Sequence, residues 1–425
     1  MKYTLNKLSN GLRVLTVPMP GLESATVTVW VKTGSRYEEA ETNGLSHFLE
    51  HMAFKGSEKR PTAKAISEVV DSIGGEFNAG TSKDWTNFYI KTRVGNLETA
   101  MDVLSDMVLN PILASDEIER EKGTIIQEIA MYEDTPMMHI GDIFEELVFE
   151  GSPLGWDTAG SAKTVKAIKR NDFVRYRSMH YHPDNMMVSV VGGIQENRVG
   201  KLVQKYFSSL PQSKKKTLIG TEFKSKQTNP QFKLQTKTAE QAHLILGFTS
   251  EGRNYEGRFA QSLLATILGG GMSSRMFIEV RERRGLAYSI RTGMDRYQEI
   301  GYLSTYAGVN VEKADEAIKV MLGQYNKISK IGSQVSKQEL TKAKEFLKGH
   351  LALALEDTKD VTSFFADQAM FAKEILTPEE VYKKVDKVRL EDVVSEAKKL
   401  FVPERLNLAI IGPFKEKEKF VQLLK

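Results

Sequence analysis

Residues 172–192 read DFVRYRSMHYHPDNMMVSVVG, and residues 392–412 read DVVSEAKKLFVPERLNLAIIG. Each begins as an amphipathic helix, breaks at a proline turn and ends in an apolar strand closed by glycine. The landmarks pair Asp172 with Asp392, Pro183 with Pro403 and Gly192 with Gly412, so a single offset of 220 positions relates all three. Upstream, ATVTVWVKTGSRY (25–37) matches AHLILGFTSEGRNY (242–255) more loosely, each an alternating strand ahead of a turn and a helix. Segments that recur in the same order at one spacing indicate a duplicated unit. The chain is therefore expected to hold two similar halves, 1–210 and 231–425, joined by a polar linker, 211–230. Both halves mix alternating strands with long helices such as 342–356, and hairpin-like strand pairs outnumber βαβ units. The expected fold class is α+β: two homologous α/β-sandwich halves, with helices packed on mostly antiparallel sheets.

Composition narrows the function. The chain has 425 residues, 41% of them apolar and 27% charged, which is ordinary for a globular protein with a sizeable core. No uncharged apolar stretch approaches the roughly 18 residues of a membrane span, so no membrane partner is expected. The opening MKYTLNKLSNGLRVL is basic at its start but lacks an apolar run of about 7 to 15 residues, so no secretory signal is expected and the compartment is expected to be the cytoplasm. The net charge of +4 is small, and the densest basic run, Lys214 to Lys216, lies among polar rather than aromatic residues. Nucleic acid is therefore not an expected partner. The absence of cysteine excludes disulfides, thiolate metal sites and cysteine nucleophiles, and leaves any metal to His, Asp and Glu.

Seven histidines are present, and two of them fall in NGLSHFLEHMAF, residues 43–54. Asn43 or Ser46 stands where a helix cap is expected, and the following residues keep helical spacing. On a helix His47 and His51 are one turn apart and Glu50 lies between them in register, so two imidazoles and a carboxylate share one side. Two neutral imidazoles supply half of a tetrahedral zinc shell, and an unligated glutamate beside them can take a proton from a water. His-x-x-Glu-His is the inverted form of the zinc-protease helix motif, and chance supplies only about 0.015 such windows in a chain of this composition. The remaining histidines, 139, 180, 182, 243 and 350, lack ligand spacing, apart from His180 and His182, which are expected at the surface of a helix-to-turn segment.

A third ligand must come from elsewhere. In SDEIEREKGTIIQEIAMYED, residues 115–134, Ile118, Ile125 and Tyr132 recur every seven positions, and Glu121 and Glu128 fall three after each isoleucine. Both acids are expected to face inward, where a carboxylate needs a partner such as a cation.

HFLEH together with a later helix carrying Glu121 and Glu128 resembles the inverted zincins of the pitrilysin and mitochondrial processing peptidase family, in the branch whose chains hold two domains. The likeness extends to NGLRV near the start, GGEFNAGTS at 74–82 and LGGGMSSRMFIEVRERRGLAYSI at 268–290. It implies one Zn²⁺ per chain held by His47, His51 and Glu128, with Glu50 as the base and Glu121 as an acid supporting a ligand. It also implies that strand 76–80 holds substrate by main-chain pairing at Asn78 and Ala79, and that Arg281 and Tyr288 grip substrate and polarise the scissile carbonyl. The implied activity is a zinc metalloendopeptidase acting on unfolded or presequence-like peptides inside a chamber formed by a homodimer. The family also contains noncatalytic assembly subunits, and members that divide zinc and Arg-Tyr functions between two different chains. Two positions depart from the pattern: Ser152 stands where many relatives have His, and Asp84 where Glu is usual, which leaves substrate preference open. Shifted by 220, the histidine window falls on Ile267 to Gly271, so the second half is expected to bind no metal.

Overall fold

The computed structural model describes residues 1–211, 222–329 and 335–425. Positions 212–221 of the expected linker, with the lysine run, lie outside the described residues. The described chain forms two compact units, one of residues 1–130, 156–211 and 353–377, the other of 131–155, 222–329, 335–352 and 378–425.

The first unit is built on a six-stranded sheet of β1 (Thr4–Lys7), β2 (Arg13–Pro18), β3 (Ser24–Val31), β4 (Glu76–Thr81), β5 (Thr86–Arg93) and β6 (Met186–Gly192), in the spatial order β1-β2-β6-β3-β5-β4. Only β2 and β6 run parallel. β6 is buried along its whole length and apolar but for Ser189, because it is covered on both faces. Met186, Val188 and Val190 enter a core with helices Leu97–Leu109 and Glu196–Phe207. The opposite face carries Ser189, whose Oγ accepts from Trp30 Nε1 at 3.0 Å, and lies under helix Thr358–Phe371. That helix is tied down by a 2.7 Å hydrogen bond between Thr26 and Thr358 and by Arg13 Nη1 donating to Ala369 O at 2.7 Å. Gly192 ends the strand at φ +139, where a Cβ would stand 2.2 Å from Ser24 O, so only glycine fits this crossing.

The second unit repeats the plan with β7 (Gln231–Thr236), β8 (Gln241–Glu251), β9 (Ala287–Arg296), β10 (Ile300–Asn310) and β11 (Leu406–Gly412), in the order β7-β11-β8-β10-β9. Again one pair, β7 with β11, is parallel. β11 sends Leu408 and Ile410 into one core and Ala409 and Ile411 into another, formed with Ile140, Ile143 and Phe144 of helix Pro136–Val148. Both sheets are thus mostly antiparallel and covered by helices, the α+β architecture that the sequence pattern implies.

The duplication is visible in register. Thr26 lies opposite Val191 across β3 and β6, and His243 opposite Ile411 across β8 and β11. Among the described residues, no helix is long and apolar enough to cross a membrane.

Candidate active site

His47, Glu50 and His51 lie on helix Leu45–Ala53, which buries Phe48, Leu49 and Met52 and so turns its polar face toward one side. The helix start differs from the expected cap. Gly44 is the N-cap at φ +97, and neither Asn43 nor Ser46 caps with its side chain. Instead, buried Glu38 accepts from Gly44 N at 2.7 Å, Ser46 N at 2.6 Å, Ser46 Oγ at 2.6 Å and Asn43 Nδ2 at 3.0 Å. A carboxylate from outside the helix therefore satisfies donors that a capping side chain would otherwise take. Burial pushes the Glu38 carboxyl up, against the pull of these bonds. Ser46 Oγ also shares a 2.7 Å hydrogen bond with the Tyr176 hydroxyl.

Glu121 and Glu128 approach from helix Ser115–Asp134. Its buried stripe is Ile118, Glu121, Ile125 and Ile129, so the stripe ends on Ile129 rather than on Tyr132. A straight helix of 3.6 residues per turn drifts away from a seven-residue repeat, which brings Ile129 inward. Glu121 is only 3% exposed; Glu128 is partly exposed.

The two helices bring His47, His51 and Glu128 together with one ligand atom from each within 4.8 Å of the others. His47 Nε2 and His51 Nε2 are 3.2 Å apart. Glu128 Oε1 lies 3.7 Å from His47 Nε2, and its Oε2 lies 3.5 Å from His51 Nε2. Bonds of 2.0–2.1 Å to a tetrahedral zinc place neighbouring ligand atoms roughly 3.3 Å apart, so the donor set fits that ion in both spacing and chemistry. Burial, and then the neighbouring His51, hold the His47 pKa down to about 4, which keeps its imidazole neutral. His51 Nδ1 is engaged at 2.9 Å by Glu121 Oε1, which fixes the ring and leaves Nε2 for a ligand role. Burial alone would raise the Glu121 carboxyl, but hydrogen bonds from His51 and Lys55 outweigh it and hold it low. Lys55 Nζ is 2.6 Å from Glu121 Oε2.

Glu50 faces the same side, and its Oε2 accepts from Thr81 Oγ1 at 2.5 Å. Burial raises its carboxyl, with the Thr81 bond working the other way. Thr81 ends β4, the terminal strand of its sheet, which also carries Asn78 and Ala79. Ala79 N donates to Asn78 Oδ1 at 2.8 Å rather than to β5. Asp84 is buried and pairs with Arg36 at 3.0 Å, while Ser152 lies in a turn where its Oγ accepts from Leu154 N.

In the second unit, Arg281 lies in the π-helical turn Phe277–Glu282, with its guanidinium 5.4 Å from the ring of Tyr288. Tyr288 is the second residue of β9, the terminal strand of the second sheet, and is 77% exposed. Helix Arg258–Gly269 carries no His, Asp or Glu. His180 and His182 are both buried, contrary to the surface expectation, with Tyr37 and Tyr176 packed on the His180 ring. Glu38, Lys55 and Thr81 were invisible as site residues in the sequence, since each is a lone polar residue without diagnostic spacing.

The family described as "Insulinase (Peptidase family M16)" matches residues 13–161, and that described as "Peptidase M16 inactive domain" matches residues 167–347. An uncharacterized zinc protease of Rickettsia felis is 35% identical over 415 residues, covering 97% of this chain and 98% of its own. The uncharacterized zinc protease YmxG of Bacillus subtilis is 34% identical over 405 residues, 95% of this chain and 97% of its own. Among solved structures, a protease from Helicobacter pylori superposes with a TM-score of 0.90 at 24% identity, covering 97% of this chain and 100% of its own. A peptidase M16 inactive domain from Pseudomonas fluorescens gives 0.89 at 19% identity, with 98% of both chains covered. These two likenesses speak to the fold.

Proposed function

This chain belongs to peptidase family M16, and from that premise we propose that it is a zinc-dependent endopeptidase that hydrolyses unfolded peptides. The observation that carries the reading is the convergence of His47, His51 and Glu128 within 4.8 Å, with Glu50 on the same helix. These three residues would hold zinc, which when bound supplies a Lewis acid for the scissile carbonyl and for water. Glu50 takes the proton of the attacking water and returns it to the leaving amine. Its buried setting raises its proton affinity, which suits a group that must do both. Glu121, charged and braced by Lys55, holds the His51 ring in one tautomer and one orientation. Asn78 and Ala79 offer extended main chain to a substrate strand, with the Asn78 side chain moving off Ala79 N as the peptide pairs. Arg281 and Tyr288 donate to the carbonyl oxygen as charge develops on it. The noncatalytic-subunit reading is disfavoured because the donor set is complete.

The proposal extends to a homodimer in which Arg281 and Tyr288 of one subunit serve the zinc site of the other. Mixing inactive Glu50→Gln and Tyr288→Phe chains decides this. In a mixed dimer acting in trans, one site carries both lesions and the other none. With random exchange, half the dimers are mixed and each regains one of two sites, so about a quarter of wild-type activity is expected from two inactive parents. Confirmed mixed dimers no more active than their parents would show that the residues act within one chain.

A further inference from the structure

Glu50 is a long side chain on the partly buried polar face of its helix, and a proton acceptor must be held within a few tenths of an ångström to work at full rate. The apolar core residues of helix Leu45–Ala53 lie on its other side and do not orient the carboxylate oxygens. The restraint comes from β4. Thr81 Oγ1 donates to Glu50 Oε2, and among the described residues no other hydrogen bond to the Glu50 carboxylate is formed.

Thr81 itself is firmly placed. Its backbone pairs with Thr86 of β5, and the hairpin closes immediately after it through Ser82 N donating to Trp85 O at 2.8 Å. Thr86 Oγ1 donates to Thr33 O at 2.9 Å, and Ser35 N and Arg36 N donate to Ser82 O and Lys83 O at 3.1 and 3.2 Å. The turn is pressed so closely on Gly34 that a Cβ there would stand 2.0 Å from Ser82 O. The hydroxyl is therefore presented by a fixed hairpin to the carboxylate of a long side chain.

We infer that Thr81 is a positioning residue for Glu50: its hydroxyl pins Oε2 and leaves Oε1 directed to the water whose proton is to be taken. The inference rests on the reading of Glu50 as the base. It also means that the strand offering main chain at Asn78 and Ala79 sets the place of the base, two residues further on.

The test compares Thr81→Val, which keeps the shape and removes the donor, with Thr81→Ser, which keeps the donor, on a short fluorogenic peptide. Thr81→Val is expected to lower kcat about tenfold or more, with KM within about twofold and zinc content unchanged, and Thr81→Ser to stay within about threefold of wild type. A merely structural loss of β4 would raise KM and would not be rescued by serine. If Thr81→Val fails to fold, Thr81→Ala against Thr81→Ser makes the same comparison. Wild-type kcat in the variant lacking the hydroxyl, or a serine variant as poor as it, would overturn the inference. Glu50→Gln measured alongside separates the two levels. An inactive Glu50→Gln with a fully active Thr81→Val defeats this inference alone, whereas an active Glu50→Gln defeats both.

Discussion

His51→Ala is expected to lose zinc and peptide hydrolysis together. The substitution removes one of three protein ligands from a set spaced at 3.2, 3.5 and 3.7 Å, and the remaining His47 and Glu128 cannot hold a closed triad. It also deprives Glu121 Oε1 of its 2.9 Å donor, leaving a buried carboxylate paired with Lys55. Replacing a residue that merely supports a ligand typically lowers metal affinity 10- to 100-fold, and loss of the ligand itself should exceed that. Zinc should fall from about one per chain to a small fraction after dialysis, with turnover at background. The helix should persist, because Phe48, Leu49 and Met52 anchor it and His51 is not part of that core. Elemental analysis paired with circular dichroism checks both halves of the statement, and a folded variant with full zinc would remove His51 from the ligand set.

Glu50→Gln should behave differently, keeping about one zinc per chain while hydrolysis falls by ~10² or more. The change is nearly isosteric and leaves the three ligands untouched. The amide oxygen still accepts from Thr81, so the side chain stays in place and only the ability to take a proton is lost. Zinc content and turnover measured on one preparation make the distinction, and near-normal turnover would exclude Glu50 as the base. The contrast with His51→Ala, where metal and activity vanish together, separates holding the ion from moving the proton.

Much of this arrangement is legible in the sequence, for identifiable reasons. The duplication shows because β6 and β11 are buried on both faces and therefore spelled by runs that are apolar except for Ser189 and Asn407, each after a proline turn. The histidine motif shows because helical geometry fixes which residues share a side. The placement of helices Pro136–Val148 and Thr358–Phe371 does not show. An apolar stripe reveals which face of a helix is covered, but not by which sheet, and each of these helices covers the sheet of the unit formed mainly by the other sequence half. Glu38 is hidden for a similar reason. Local sequence suggests Asn43 or Ser46 as the cap, and the actual acceptor arrives from a preceding loop through tertiary packing. Lys55 and Thr81 acquire their roles only when two helices and a hairpin meet. His180 and His182 read as polar turn residues and are both buried, His180 against the rings of Tyr37 and Tyr176.

The central claim is that His47, His51 and Glu128 hold a zinc ion on which peptide hydrolysis depends. The direct measurement is a chelation and reconstitution titration of the wild-type chain, following metal content and cleavage of a short fluorogenic peptide in the same samples. The account predicts about one zinc per chain as purified, loss of cleavage in step with zinc removal, and recovery that saturates at about one equivalent of added zinc. Folded, zinc-free protein that cleaves the peptide at the undiminished rate would contradict it.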